Sequence, residues 1–144
     1  MHYDIHGGRI AMEISIATQK RCEVVDITRN VQQACRQWGG TGLVQVYGPH
    51  TTCGVAVNEK YDPTVREDIL AWFERVVPAG AGYQHEEGNS DAHIKCLLSG
   101  NQACIPVRQG NLLLGRWQGI FLLEFDGPRA RTLWVSFMSS GEKE

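Results

Sequence analysis

Two segments with helical spacing interrupt a chain whose other apolar residues alternate or run in short blocks. In the first, Thr28 offers an N-cap hydroxyl, and Val31, Cys35 and Trp38 share one face before Gly39-Gly40 stops the helix. In the second, Asp62 can cap, Pro63 tolerates the first helical position, and Val65, Ile69, Phe73 and Val76 line one side. Pro78 and the glycines at 80 and 82 end it. A shorter helix from Asp91 through His93 to Leu98, stopped by Gly100, is a third candidate.

Between these segments the pattern is that of strands. Met12, Ile14 and Ile16 alternate with Glu13, Ser15 and Ala17, as in a half-buried strand, and Glu23–Asp26 is a candidate hairpin partner. Strand character recurs at Leu43–Tyr47, Val55–Val57, Ala103–Val107, Gly119–Phe125 and Thr132–Phe137. Turns are expected at Gln109-Gly110-Asn111 and Gly127-Pro128. Strands outnumber helices, their links are short, and no βαβ repeat occurs. The predicted class is α+β: one domain over residues 1–144, with mainly antiparallel, sandwich-like sheets, two to three helices and a loose segment at residues 1–10.

Composition narrows the function. Fourteen basic against sixteen acidic residues leave a net charge of -2, which excludes strong sequence-independent attraction to nucleic acid or anionic membrane. No apolar run approaches the ~20 residues of a spanning helix, and no signal-peptide pattern opens the chain, so a cytoplasmic protein is expected. The five cysteines are scattered and form no CxxC pair, so they read as small packed hydrophobes.

Candidate chemistry gathers in polar loops. His50, His85 and His93 would make a sufficient first shell for a divalent ion such as zinc, with an open position for water or substrate. Asp91 and Glu87 could orient an imidazole or act on bound water. The spacing is no metal signature, and on spacing alone surface or hydrogen-bonded structural histidines are the default reading. Cys53, three residues after His50, suggests a nucleophile, but a strand would turn the two side chains apart, and no nearby positive charge activates the thiol. Lys95, Arg129 and Arg131 could bind an anion or be ordinary solvated charges. Gly115–Gly119 lacks a phosphate-loop layout and reads as a turn with Trp117 packed in the core.

Several motifs in order carry a resemblance. His50-Thr51-Thr52, Val57-Asn58-Glu59, Asp62-Pro63 and Val65-Arg66 resemble the signature of the YjbQ-like proteins. Tyr83-Gln84-His85, Asp91-Ala92-His93-Ile94-Lys95, Ile105-Pro106 and Leu114-Gly115-Arg116-Trp117-Gln118-Gly119-Ile120 continue it, over about Ile14 to Phe137. Departures fall at Cys53, Lys60-Tyr61 and Arg116, and none touches the three histidines. The resemblance implies a homotrimer with a divalent-metal pocket, for zinc, whose ligands would be His50, His85 and His93. It also implies a secondary thiamine-phosphate-synthase activity on small phosphorylated pyrimidine and thiazole substrates. In that reaction Lys95 would neutralise charge on the diphosphate. In an alternative hydrolase, Asp91 or Glu59 would serve as general base. A non-catalytic metal- or ligand-binding protein is the third expectation.

Overall fold

The computed structural model describes residues 4–5 and 8–141, with side chains from residue 12 onward. Among these residues nine strands form two sheets, every strand pair is antiparallel, and three helices complete the domain. The larger sheet has the order β1 (Asp4–Ile5), β2 (Gly8–Ala17), β9 (Ala130–Ser139), β4 (Gly42–Tyr47), β6 (Gln102–Arg108) and β7 (Asn111–Leu112). The smaller sheet is β3 (Glu23–Asp26), β8 (Gln118–Glu124) and β5 (Cys53–Glu59). The helices are α1 (Thr28–Trp38), α2 (Pro63–Val76) and α3 (Ser90–Ser99). The expected α+β class is what the chain adopts.

The central strand of the smaller sheet explains the layering. Ile120, Phe121, Leu122, Leu123 and Glu124 are all buried, so β8 is covered on both faces. Ile120 and Leu122 join Val55 on one face and meet Val44, Val46, Ile105, Leu133 and Val135 of the larger sheet. Val31, Ala34 and Cys35 of α1 belong to that same core. Leu123 and Phe125 turn to the other side, against Phe73 of α2 and Ala92 of α3.

A buried ion pair ties the two sheets. Arg131 on β9 donates from Nε to Glu124 Oε2 at 2.8 Å, and its Nη2 donates to Thr52 Oγ1 at 2.8 Å. Glu124 also accepts from Thr18 Oγ1 at 2.9 Å and from the amides of Phe125 and Asp126 at 3.0 and 2.9 Å. Arg131 is therefore a core residue, not the solvated charge expected from the sequence.

Several local expectations change in the same way. β3 pairs with β8 and not with β2, because Val24 and Val25 are needed against the smaller sheet's two packed faces. Thr28 lies inside α1 rather than capping it; its hydroxyl donates to Asp26 Oδ1 at 2.6 Å and accepts from the Ile120 amide at 2.9 Å, anchoring α1 to the sheet. Asp62 does cap α2, accepting from the Thr64 amide at 3.0 Å, with Pro63 following as expected. β2 starts at Gly8, so part of the segment expected to be loose is paired, while residues 1–3, 6 and 7 lie outside the described residues. Gln109 and Gly110 both take positive φ, the backbone of a two-residue hairpin turn between β6 and β7. Trp117 is 55% exposed, packing edge-on against Tyr61 instead of entering the core.

Removing one member of the inter-sheet pair strands a buried charge. Glu124→Gln is expected to lower unfolding free energy by about 3–5 kcal/mol in urea titrations. The apolar double variant Glu124→Leu/Arg131→Met should recover most of that loss.

Candidate functional site

The third helix is held by a second buried ionic cluster. Asp91 is fully buried in the first turn of α3 and receives both arms of a fork from Arg21, at 2.9 and 3.0 Å. One turn later Lys95, 1% exposed, donates to Asp91 Oδ2 at 3.0 Å and to Glu74 Oε2 of α2 at 3.0 Å. Burial raises the Asp91 pKa, but the hydrogen bonds from Arg21 and Lys95 outweigh it, so the net shift is downward. Burial likewise lowers that of Lys95, and bonding to Asp91 and Glu74 reverses the sign, leaving it raised. Both groups thus stay charged. Asp91 does not cap α3 as expected; its carboxylate joins the helix to Arg21, and its oxygens are already engaged. It is placed as an anchor and poorly placed as a base, and Lys95 is not a free cation for a diphosphate.

The opposite end of α3 meets β5 at Gly54. A Cβ at that position would run into Ser99 Oγ and the Gly100 carbonyl, so only glycine lets the helix terminus lie this close. Cys96 reinforces the contact by donating from Sγ to the Cys53 carbonyl at 3.1 Å. Cys53 itself is buried, and desolvation pushes its thiol up to about 12. It packs as a small hydrophobe and is no nucleophile.

Between those two anchors, α3 presents His93 one residue from Ala92 and two from both Asp91 and Lys95. The His93 ring meets that of His85 edge to face, with centroids 5.4 Å apart. His85 lies in the loop before α3, is 44% exposed at its side chain, and has Glu87 Oε2 3.7 Å from Nε2. The sequence candidates His85 and His93 are thus brought together.

His50 does not join them in a three-donor group. Its Nε2 lies 2.9 Å from the Thr132 carbonyl and 3.0 Å from the Thr132 amide, so either tautomer finds a backbone partner there. Desolvation lowers its pKa and keeps the ring neutral. Among the described residues no three His, Cys, Asp or Glu side chains gather as a metal site. One chain therefore offers two adjacent imidazoles, not the three expected.

Glu59, at the end of β5, occupies a different place. With Asn58 it lines a cleft between α2 and the outer face of the smaller sheet, about 420 Å³ in volume. Arg66, Ile69, Trp72 and Phe121 line the same cleft. Arg21, Glu74 and the cleft were not seen in the sequence, because each depends on contacts between elements far apart in the chain.

Comparison with known proteins agrees with this architecture. The family model described as UPF0047 protein YjbQ-like matches residues 12–140. A UPF0047 protein of Archaeoglobus fulgidus is 46% identical over 126 residues, covering 86% of this chain and 98% of its own. The YugU protein of Bacillus subtilis is 43% identical over 131 residues, 87% of this chain and 96% of its own.

The chain belongs to the YjbQ-like family.

A crystal structure of a YjbQ/UPF0047 protein from Clostridium acetobutylicum superposes with a TM-score of 0.85 at 43% identity, covering 88% of this chain and 100% of that one. A crystal structure of a hypothetical protein from Aeropyrum pernix gives 0.85 at 36% identity, over 90% of this chain and 98% of that one. The likeness extends over about nine-tenths of the chain in both cases. No helix among the described residues is long and apolar enough to cross a membrane.

The anchoring cluster carries a pH signature. A carboxylate whose pKa is lower when folded contributes its full stability above the unfolded value, about 3.9, and loses it as pH falls through the folded value. Lys95, raised in the fold, loses its contribution only on the alkaline side, above its ordinary 10.5. Asp91→Asn is expected to lower stability by about 3 kcal/mol at pH 7. Urea midpoints measured from neutral pH down to about 2 should show the gap between variant and parent closing below the unfolded value of about 3.9.

Proposed function

We propose that this YjbQ-like protein binds a divalent cation, zinc by the nature of its donors, through His85 and His93, with the remaining ligands supplied by other copies in a homotrimer. The observation that carries the reading is the edge-to-face pairing of two accessible imidazoles on a rigidly held helix. Two donors fall short of the three protein ligands usual for a catalytic zinc. The same helix bears Ile94, Leu97 and Leu98 on its exposed side, Leu97 at 82% exposure. An apolar stripe beside an incomplete ligand set is what a shared, subunit-boundary site requires.

The activity we attach to this site is transfer of the thiamine-phosphate-synthase type, on small phosphorylated pyrimidine and thiazole substrates in the cytoplasm. A bound cation would supply charge stabilisation for phosphate oxygens. Asp91 and Lys95 serve here as positioning residues: their ion pair fixes the helix turn that presents His93. Glu87, with Oε2 3.7 Å from His85 Nε2, is near enough to attract the ring electrostatically but makes no hydrogen bond to it. In the hydrolase alternative, Glu59 is the carboxylate to test as base, since Asp91 is already tied to Arg21 and Lys95. A purely metal- or ligand-binding role makes no such demand.

Untagged protein examined by light scattering and elemental analysis separates these readings. The expected parent is a trimer with stoichiometric zinc. His85→Ala and His93→Ala should lose the metal, and Leu97→Asp should give monomers that no longer retain it. Metal retained by the double histidine variant, or a monomeric parent, would overturn the shared site. Turnover of pyrimidine diphosphate with thiazole phosphate should fall at least about tenfold in His93→Ala, a barrier change of about 1.4 kcal/mol. Turnover no faster than buffer would remove the transferase assignment and leave the metal assignment to the first measurement.

A further inference from the structure

The α2 cleft holds an arrangement that the histidine pair does not use. Helix α2 is capped and regular, yet Phe73 is its one buried residue among those described, with Ile69 only partly buried beside it. Val65, Ile69 and Trp72 on the helix face Val24, Ala56, Phe121 and Leu123 on the sheet across about 420 Å³. Protein interiors are packed nearly as densely as organic crystals, so a helix and sheet with apolar facing surfaces would ordinarily close on each other. A volume of this size is in the range of small-ligand sites.

Arg66 makes the cleft selective. Its guanidinium lies over the Phe121 ring, Cζ 4.9 Å from the centroid, and its Nη2 donates to the Lys60 carbonyl at 2.8 Å. Those two contacts fix the fork in place. Its Nε is buried with no hydrogen-bond partner, and no carboxylate pairs with the guanidinium among the described residues. A buried donor left unmatched on a cation is costly. With only Nη2 engaged among the described residues, the guanidinium that lines the cleft keeps charge and donor capacity that an anionic ligand can use. Glu59 and Asp68 line the cleft too, which disfavours ligands of higher negative charge.

We propose that the α2 cleft is a binding site for a small aromatic monocarboxylate, its ring between Trp72, Ile69 and the sheet and its carboxylate on the Arg66 guanidinium. The site is independent of the histidine pair and of any metal. Ser99, at the end of α3, also lines the cleft and offers hydroxyl lone pairs, its proton being shared between the Cys96 and Gly100 carbonyls at 3.2 and 3.3 Å.

The test uses benzoate and indole-3-carboxylate, with their neutral amides, titrated into the intact protein and followed by nuclear magnetic resonance. The Trp72 indole signal, assigned with Trp72→Phe, is expected to shift saturably with the acids. Arg66→Gln should weaken the acids at least about tenfold while changing the amides by no more than about twofold. Ile69→Trp, and separately Ala56→Leu from the opposite wall, should abolish binding of both; the pair guards against either variant failing to fold. No saturable shift, equal loss of acid and amide in Arg66→Gln, or binding that survives both filling variants would overturn the proposal. So would loss of assembly in the filling variants, which would mean that a second copy occupies the cleft. His85→Ala should bind the acids as the parent does, so failure here and failure of the metal site read out separately.

Discussion

Glu124 sits where water cannot reach it, with Arg131, Thr18 and two backbone amides around its carboxylate. A charge in that position tolerates no approximate geometry, because every lone pair left empty is paid for at interior dielectric. The two sheets must therefore meet with β8 and β9 in one register, and Thr52 must lie where Arg131 can reach it. The hydrophobic core around Leu122, Leu133 and Val135 drives collapse of the domain. The ion pair narrows the ways in which that collapse can end. Asp91 repeats the device one layer out, locking α3 to Arg21 and, through Lys95, to α2.

The elements whose signals are local were legible in the chain. Asp62-Pro63 starts α2, Gly39 ends α1 in a left-handed conformation, and Gln109-Gly110 turns the β6–β7 hairpin. Partnership between elements was not legible. The alternation at Met12–Ala17 states which side of β2 is apolar, but says nothing about whether its neighbour is β3 or β9. β9, nearly the whole chain away, took that place, and β3 went to the other sheet. Trp117 shows the same limit: its size suggested the core, whereas its turn leaves it on the surface against Tyr61.

For the candidate site, the sequence pointed to α3 and did not show that its charges are buried. Asp91 and Lys95 stand four residues apart, the spacing of an ordinary solvated helix pair. What buries them is the arrival of Arg21 and Glu74 from either side, and neither residue carries a mark in the sequence. The ordered motifs around His85 and His93 pointed to residues that do meet. His50, within the same set, is engaged by Thr132 instead, a backbone contact set by the register of β9 that no spacing argument could foresee.

Anchoring and accessibility are separated along α3, and the separation has a physical logic. Residues 91, 92, 95 and 96 are buried, whereas Ile94, Leu97 and Leu98 are exposed. Helical periodicity alone would let the helix bury its leucines and expose its charges, so the ion cluster and the close approach at Gly54 must hold it the other way. Exposing leucines costs solvation free energy that a lone chain has no means to recover. That arrangement, with His93 on the same short segment, is what the proposed subunit-boundary site rests on. The α2 cleft is the complementary case, an apolar space within one chain lined by a guanidinium with one nitrogen, Nε, left unpartnered. The first is proposed to meet a protein surface and the second a small molecule, and they come nearest at the end of α3, where Ser99 lines the cleft one residue from Leu98.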